Sequence, residues 1–411
     1  MAVVYTFIIY VFLFLIRVAS LFNKKAAGWV HGRRNWKEDL KKNFAGNPGP
    51  FWVHCASLGE FEQGRPVIEN LKQKYPGRKI LVTFFSPSGY DVMKSWTGAD
   101  YICYLPGDTP RNARWFLDTV KPGMVIFVKY EFWNNFISET ARRNIRLYLI
   151  SAIFRPQQHF FRWYGGFFRQ QLTKYTRIFV QERASAELLN SAGIDRVTLS
   201  GDTRFDRVAK IAEAARNIPL IEKFRAGEKL FLAGSSWRED EEIISSYINM
   251  FPDRMKWVFA PHESDPANVK RLQSLFKIKT AKYSDGETGL EGARVLIIDN
   301  IGILSSAYRY ASIAAVGGGF GKGIHNILEP ACWKIPVLFG PDHKKFREAI
   351  ELLAMGGAFT FGNQGEFFSL LDRLLTDRQF YETSAGIAGK YVAENRGATA
   401  KIIEVIAPTG Y

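Results

Sequence analysis

Hydrophobic residues along this chain fall into two kinds of run. The first, "AVVYTFIIYVFLFLIRVASLF" near the N-terminus, is apolar at almost every position and is broken once by Arg17. About 20 residues long, it is near the minimum for spanning a bilayer. From Phe51 onward the apolar runs are short and alternate with amphipathic stretches. The pattern predicts strands at "FWVHCA", "KILVTFF", "YICYLP", "GMVIFVKY", "RLYLISA", "RIFVQ" and "RVTLSG". Helical periodicity lies between them, as in "EQGRPVIENLKQKY" and "TPRNARWFLDTV". Strand and helix alternation at this spacing means βαβ units and a parallel sheet. The stretch "FDRVAKIAEAARNIPLIEKFRAGEK" leads to a second set, "KLFLAGSS", "MKWVFAP", "RVLIID", "IAAVGGG" and "IPVLFG". The economical reading is α/β throughout: an anchor over residues 1–23, one open α/β domain over 24–215 and a second over 216–411. In such sheets ligands bind beyond the carboxyl ends of the strands.

Charge narrows the picture. Lys24, Lys25, Arg33, Arg34, Lys37, Lys41 and Lys42 follow the apolar segment, and no charged side chain precedes it. The positive-inside rule then puts the rest of the chain in the cytoplasm, with a single-pass or monotopic anchor. A cleaved signal peptide would have a charged start and a small-residue cleavage site. A buried core helix is the third reading. The net charge of +15 favours anionic partners such as acidic headgroups or phosphorylated substrates. No helix-turn-helix, zinc finger or aromatic RNA-binding signature is present, which argues against nucleic acid. Cys55, Cys103 and Cys332 are far apart, and the six histidines are scattered; neither set has metal-ligand spacing.

Several polar groups fall just after predicted strands. Ser57 and Glu60 have the S-x-x-E spacing of a capping box. A carboxylate there could also take a proton from a substrate hydroxyl, and from spacing alone capping is the better-supported role. "VGGGFGKGIHNILEP", Val316 to Pro330, runs from a strand through glycines into a helix expected from Asn326. Glycines let a backbone approach a phosphate, a helix start offers unpaired N–H groups, and Lys322 adds a charge. Glu329 could accept hydrogen bonds from ribose hydroxyls. The plain alternative is a flexible loop with Asn326 as N-cap. Ser235 and Ser236 read as caps or ligand contacts, and His262 as a structural residue or a strand-end functional one. Lys129, Glu131 and Trp133 suggest an ion pair under an aromatic lid, and Arg204 with Asp206 a salt bridge.

Taken in order, Ser57-x-Gly59-Glu60, "SPSG", "YEFW", "SGDTRFD", "GSS", the His262 loop and "GIHNILEP" resemble the Kdo (3-deoxy-D-manno-octulosonic acid) transferases of lipid A. The resemblance covers nearly the whole chain. It implies a GT-B fold, two Rossmann-like domains facing a cleft, with the last helix crossing back to the N-terminal domain. It implies an inverting glycosyltransferase moving Kdo from CMP-Kdo to the glucosamine 6-hydroxyl of a lipid A precursor. The setting would be the cytoplasmic face of the inner membrane, on an acidic lipid surface. Neither cofactor nor metal is expected. Glu60 matches the general base; Lys129 and Arg204 match columns linked to transition-state stabilisation, where the family often has Glu and Lys. Ser57, Gly59, Ser86, Ser88 and Glu131 fall on the acceptor side. Ser235, Ser236, Pro261, His262, Gly302, Gly318, Lys322, Gly323, His325, Asn326, Ile327, Leu328 and Glu329 fall on the donor side. The family's Pro-Arg-His reads Ala260-Pro261-His262 here, and Lys322 is the expected substitute for the missing charge. Met-Gly-Glu reads Ile301-Gly302-Ile303, leaving backbone contacts alone, and Ile324 stands for a glycine. The alternatives are another GT-B enzyme using a UDP-sugar, and a non-catalytic lipid A-binding module.

Overall fold

The computed structural model describes residues 1–44, 46, 49–321 and 323–407; Lys322 lies outside the described residues. The chain divides into two compact units, Met1–Arg207 together with the C-terminal segment from Arg396, and Val208–Asn395. In unit 1, helices α1 (Ala2–Ala19), α2 (Lys24–His31) and α3 (Trp36–Phe44) precede β1 (Phe51–Cys55). Then follow α4 (Leu58–Lys74), β2 (Ile80–Phe84), α5 (Pro87–Met93), β3 (Tyr101–Tyr104), α6 (Pro110–Val120), β4 (Met124–Val128) and α7 (Asn134–Arg142). Strands β5 (Arg146–Ala152), β6 (Arg177–Val180) and β7 (Val197–Leu199) complete a seven-stranded parallel sheet of order β3-β2-β1-β4-β5-β6-β7.

β1, β2 and β4 are buried at every position, because helices cover both faces of the sheet. Successive side chains then feed two different cores. Trp52, Leu81, Val125 and Phe127 pack on one face with Ala113, Phe116 and Leu117 of α6. Val53, Cys55, Val82 and Ile126 pack on the other with Phe61, Val67, Ile68 and Leu71 of α4. Local chemistry sets the helix starts. At α6 the Thr109 hydroxyl accepts the Asn112 N–H at 3.2 Å, and Pro110 occupies the first turn. Ala113, Phe116, Leu117 and Val120 then bury one face at helical spacing.

Unit 2 repeats the plan with β8 (Leu230–Ser236), β9 (Lys256–Pro261), β10 (Thr280–Lys282), β11 (Val295–Ile297), β12 (Ile313–Val316), β13 (Val337–Phe339) and β14 (Ala358–Thr360). Their order is β10-β11-β9-β8-β12-β13-β14, again all parallel. All twelve strands expected from the hydrophobic pattern are present. β10 and β14 are additional; each has three residues and lies at an end of its sheet, too short to leave a periodic signal.

The last helix, Ala398–Ile406, belongs to unit 1. Its Ile402 and Ile406 are buried in the α4 core. The Asp206 carboxylate accepts the N–H groups of Gly397 at 2.6 Å and Thr399 at 2.7 Å at the helix start. Ile402→Ala removes a fully buried side chain and should cost about 2–5 kcal/mol in denaturant unfolding. Val405→Ala on the exposed side should stay within about 0.5 kcal/mol. Equal losses at the two positions would contradict this packing.

Candidate active site

The loops after β1, β2 and β4 lie side by side at the carboxyl edge of the unit 1 sheet, because those strands are neighbours and parallel. With the helix starts that follow them, they carry Ser57, Gly59 and Glu60, then Ser86 and Ser88, then Lys129 and Glu131. The first two loops are stitched together, since the Ser86 N–H donates to the Ala56 carbonyl at 2.8 Å. Ser86 caps α5: its Oγ accepts the Ser88 N–H at 3.3 Å and lies 2.9 Å from the Ser88 Oγ. Gly89 is required by proximity. A Cβ there would stand 2.4 Å from the Phe84 ring and 3.0 Å from the Ser57 carbonyl carbon.

Glu60 sits in the first turn of α4, where the helix dipole favours a carboxylate. It is half-buried rather than sealed. Ser57 has the extended backbone of an N-cap, but its side chain accepts no helix N–H. Its hydroxyl donates to the Glu60 carboxylate instead. The expected capping by Ser57 is therefore corrected. The S-x-x-E pair is made side chain to side chain, which leaves Glu60 off the backbone and holds its carboxylate at the loop.

The β4 loop is built around Glu131, which is 6% exposed. His54 Nε2 lies 2.9 Å from its Oε2, and Trp133 Nε1 donates to the same oxygen at 2.5 Å. Fully buried His54 meets the Thr83 Oγ at 2.9 Å through Nδ1, and that Oγ accepts the Trp52 indole N–H at 2.8 Å. Nδ1 also lies 3.0 Å from the Thr83 carbonyl oxygen, so both ring nitrogens of His54 are engaged, one with Thr83 and the other with Glu131. The expected Lys129–Glu131 pairing is thus replaced by a buried His54–Glu131–Trp133 network. Lys129 stands beside it in a left-handed backbone, φ 69°, with Nζ 5.4 Å from the Tyr130 ring centroid. His54 was not singled out from sequence. It sits inside the apolar run of β1, and its partner is 77 residues away.

Arg204 lies in the first turn of the helix Thr203–Glu213. Its guanidinium lies on Asp202, Nε at 2.8 Å and Nη2 at 2.7 Å, and not on Asp206 as expected; Asp206 holds the last helix.

In unit 2, β8 ends in a bulge with Ser235 in a left-handed backbone, φ 50°. The Ser236 hydroxyl donates to buried Glu241 at 2.8 Å, and Arg271 pairs with the other carboxylate oxygen. Asp240 accepts the N–H groups of Trp237 and Gly318, each at 3.0 Å, and so ties the β8 turn to the glycine loop. Burial pushes the Asp240 carboxyl up to about 6, against the pull of those two donors. The Trp237 ring stacks on exposed His262 at 4.5 Å, and His262 stacks on His325 at 4.6 Å. Trp237 Nε1 donates to His325 Nε2 at 3.1 Å. Burial, helped by neighbouring His262, holds the His325 pKa down to about 4, so its ring is neutral near pH 7. Trp237 was missed in the sequence because its role depends on two histidines from other loops.

Pro261 is buried at the end of β9, and Gly302 lies exposed after β11 with φ 102°. Gly318 and Gly323 have φ of 95° and 86°. The helix after them is a single turn, Leu328–Cys332, with Ile327 as N-cap, not a long helix from Asn326. Asn326 accepts the Leu328 N–H at 3.2 Å and donates to Glu329 at 3.2 Å; Ser305 donates to the other Glu329 oxygen at 2.7 Å. Ile327 and Leu328 side chains are fully buried, so those residues can offer a ligand only backbone groups. A cleft of about 450 Å³ opens beside this cluster, lined by Ser236, Trp237, Arg238, Glu263, Arg271 and Gly318 among others. Arg238 and Arg271 are basic groups that the sequence motifs did not mark. Among the described residues no cluster of three or more His, Cys, Asp and Glu side chains could hold a metal ion.

A profile of the 3-deoxy-D-manno-octulosonic-acid transferases matches residues 33–207. The chain is 31% identical over 373 residues to the 3-deoxy-D-manno-octulosonic acid transferase of Aquifex aeolicus, covering 88% of this chain and 95% of that one. Against the enzyme of the same name from Haemophilus influenzae it is 25% identical, covering 88% and 87%. Among solved structures, the UDP-GlcNAc 2-epimerase of Neisseria meningitidis bound to UDP-GlcNAc superposes with a TM-score of 0.60. It is 19% identical, over 87% of this chain and 99% of that one. The UDP-GlcNAc 2-epimerase of Methanocaldococcus jannaschii gives 0.55 at 14% identity, over 84% and 98%. At such identities these structures speak for the fold alone, which is GT-B.

Asp240 supplies a pH test. Its carboxyl is raised from 3.8 to about 6, so the folded state holds this proton more tightly than the unfolded one. Stability is therefore lost as pH rises from about 4 to about 6. Asp240→Asn keeps an acceptor for both N–H groups and removes the ionisation. The stability difference, variant minus parent, should grow across that window by up to about 3 kcal/mol in denaturant titrations. The depressed His325 works in the opposite direction but is common to both proteins. A flat difference would contradict the assignment.

Proposed function

The chain belongs to the 3-deoxy-D-manno-octulosonic-acid (Kdo) transferase family, and on that premise we propose that it transfers Kdo from CMP-Kdo to the glucosamine 6-hydroxyl of a lipid A precursor, with inversion. The enzyme is a glycosyltransferase of GT-B fold serving lipopolysaccharide synthesis. The observation that carries the finer reading is Glu60: a half-exposed carboxylate at the carboxyl edge of the unit 1 sheet, oriented by Ser57 and free of capping duty.

In this reading the acceptor hydroxyl donates to Glu60. As its oxygen attacks the anomeric carbon, the proton passes to the Glu60 carboxylate, and the bond to the CMP phosphate breaks with its electron pair leaving on phosphate. Ser57 keeps the carboxylate aimed while it is ionised. Buried Glu131, fixed by His54 and Trp133, acts as a rigid neighbour that positions the β4 loop. Lys129 adds positive charge beside it. Arg204 is the second candidate for stabilising developing negative charge, working from its place on Asp202.

The donor side falls on unit 2. Ser235 and Ser236, the Pro261–His262 turn and the 318–329 loop supply polar and backbone groups for the nucleotide and its phosphate. The backbone of Gly302 offers a further contact. Lys322 is proposed to carry the charge that the family's missing arginine would give. Glu329, oriented by Ser305 and Asn326, is the carboxylate proposed to accept hydrogen bonds from the ribose hydroxyls. CMP-Kdo is a substrate, so no resident cofactor is invoked. The apolar α1 and the net charge of +15 suit an acceptor held in an acidic membrane at its cytoplasmic face.

Glu60→Gln keeps shape and hydrogen-bonding capacity but removes the base. Turnover should fall by about 10²–10⁴-fold, with the unfolding midpoint unchanged. If Glu60 were chiefly a cap, the variant would lose about 0.5–2 kcal/mol of stability and keep its turnover.

A further inference from the structure

Helix α1, broken only by Arg17, has a mean hydropathy of 2.3 over 18 residues and is long and apolar enough to cross a membrane by length and composition. Its packing contradicts a simple span. Tyr5, Thr6, Ile9, Leu13 and Ile16 are the shielded positions within it, and they recur at helical spacing along its length. That stripe lies against unit 1. Near the N-terminal end the Tyr5 hydroxyl donates to the Asp108 carboxylate at 2.7 Å, and the Tyr5 ring is 6.3 Å from that of Phe167. Further along, Leu13 lies over Gly107, and Phe12 meets Trp29 at 6.0 Å and Phe85 at 6.3 Å. Asp108 is 1% exposed and also accepts the N–H groups of Asn135 and Phe136 at the start of α7. A helix of this length standing across a bilayer would carry Tyr5 about 20 Å away from the cytosolic domain. It could not then share a buried carboxylate with α7.

The side of α1 turned away from the protein exposes Val4, Phe7, Ile8, Val11, Phe14, Leu15 and Val18, an apolar face with no protein cover. Two neighbouring features identify what covers it. Trp163, 92% exposed, and Tyr164 project from the loop just before Phe167, the residue that touches Tyr5. Such aromatic side chains prefer the bilayer interface. Exposed Lys24, Lys25, Arg34, Lys41 and Lys42 follow the helix in α2, α3 and the turn between them, a basic flank suited to acidic headgroups.

We propose that α1 is a monotopic, in-plane anchor. Latched to unit 1 by Tyr5 and Asp108, it lies along the membrane with its outer face in the acyl region of an anionic leaflet. This rests on the membrane reading above and specifies its geometry. It also has a consequence for the acceptor. Phe12 packs on Phe85, Phe85 on Trp133 at 4.9 Å, and Trp133 bonds to Glu131, so the lipid-facing helix forms part of the wall behind the β4 loop. The bilayer surface is thereby brought up to the candidate site without a flexible tether.

The test uses full-length protein with Cys332→Ser and a single nitroxide-labelled cysteine at residue 4, 11 or 18, three exposed positions on one side of α1. Depth is read by oxygen and nickel-chelate accessibility in phosphatidylethanolamine–phosphatidylglycerol vesicles. An in-plane helix gives one common depth. A spanning helix gives a steady gradient, since residues 4 and 18 would differ by about 21 Å along the normal, and that result overturns the proposal. Failure to bind the vesicles overturns it as well. Tyr5→Phe should raise label mobility at residue 4 but not at residue 18; no change at residue 4 removes the latch. Kdo transfer is assayed on the same samples. Common depth without transfer would sink the proposed chemistry and leave the anchor standing, whereas a gradient with transfer would do the reverse.

Discussion

Parallel strand pairing is the constraint on which this protein depends. A parallel ladder cannot be closed by a tight turn, so each strand must be followed by a crossover, and every strand releases the chain at the same edge of its sheet. In unit 1 this puts the loops after β2, β1 and β4 side by side. Residues as distant in sequence as Ser57, Ser86 and Glu131 thereby become neighbours along one edge. In unit 2 the same rule gathers the turn after β8, the end of β9 and the glycine loop after β12. Buried strands covered on both faces supply the rigidity, and the polar loops supply the chemistry.

The polar groups at those edges are costly to bury, and the structure shows how the cost is offset. Glu131 has donors from His54 and Trp133, and Asp240 has two backbone N–H groups. Asp108 has Tyr5, Asn135 and Phe136. Each carboxylate joins segments that the sheet alone would leave independent. Removing one partner of such a group leaves the others uncompensated, which makes these networks rigid supports for the loops above them.

Much of this was legible in the sequence. The strands wrote themselves as short apolar runs, because fully buried parallel strands have no polar face to conceal them. β10 and β14 were invisible because three edge residues carry no period. The ordered motifs pointed to the strand-end loops, where Glu60, Ser236, His262 and Glu329 are found. What the sequence could not supply was the direction of individual hydrogen bonds. The spacing of Ser57 and Glu60 fits a capping box equally well, yet the hydroxyl donates to the carboxylate. Likewise Arg204 chose Asp202 over Asp206, and Asn326 precedes a single helical turn whose N-cap is Ile327. His54 and Trp237 were hidden because their partners come from loops far along the chain. By composition the apolar N-terminus fits a single-pass or a monotopic anchor equally well, and its packing adds a docked stripe.

The central claim is that this fold joins an octulosonic acid unit to a lipid-borne glucosamine hydroxyl and releases CMP. The most direct measurement is mass spectrometry of the lipid after purified enzyme has been given CMP-Kdo and a lipid A precursor, with CMP quantified in parallel. The account predicts lipid heavier by a whole number of Kdo residues, and one CMP released for each. Folded enzyme that leaves the lipid mass unchanged while its Aquifex relative modifies it under the same conditions would contradict the account.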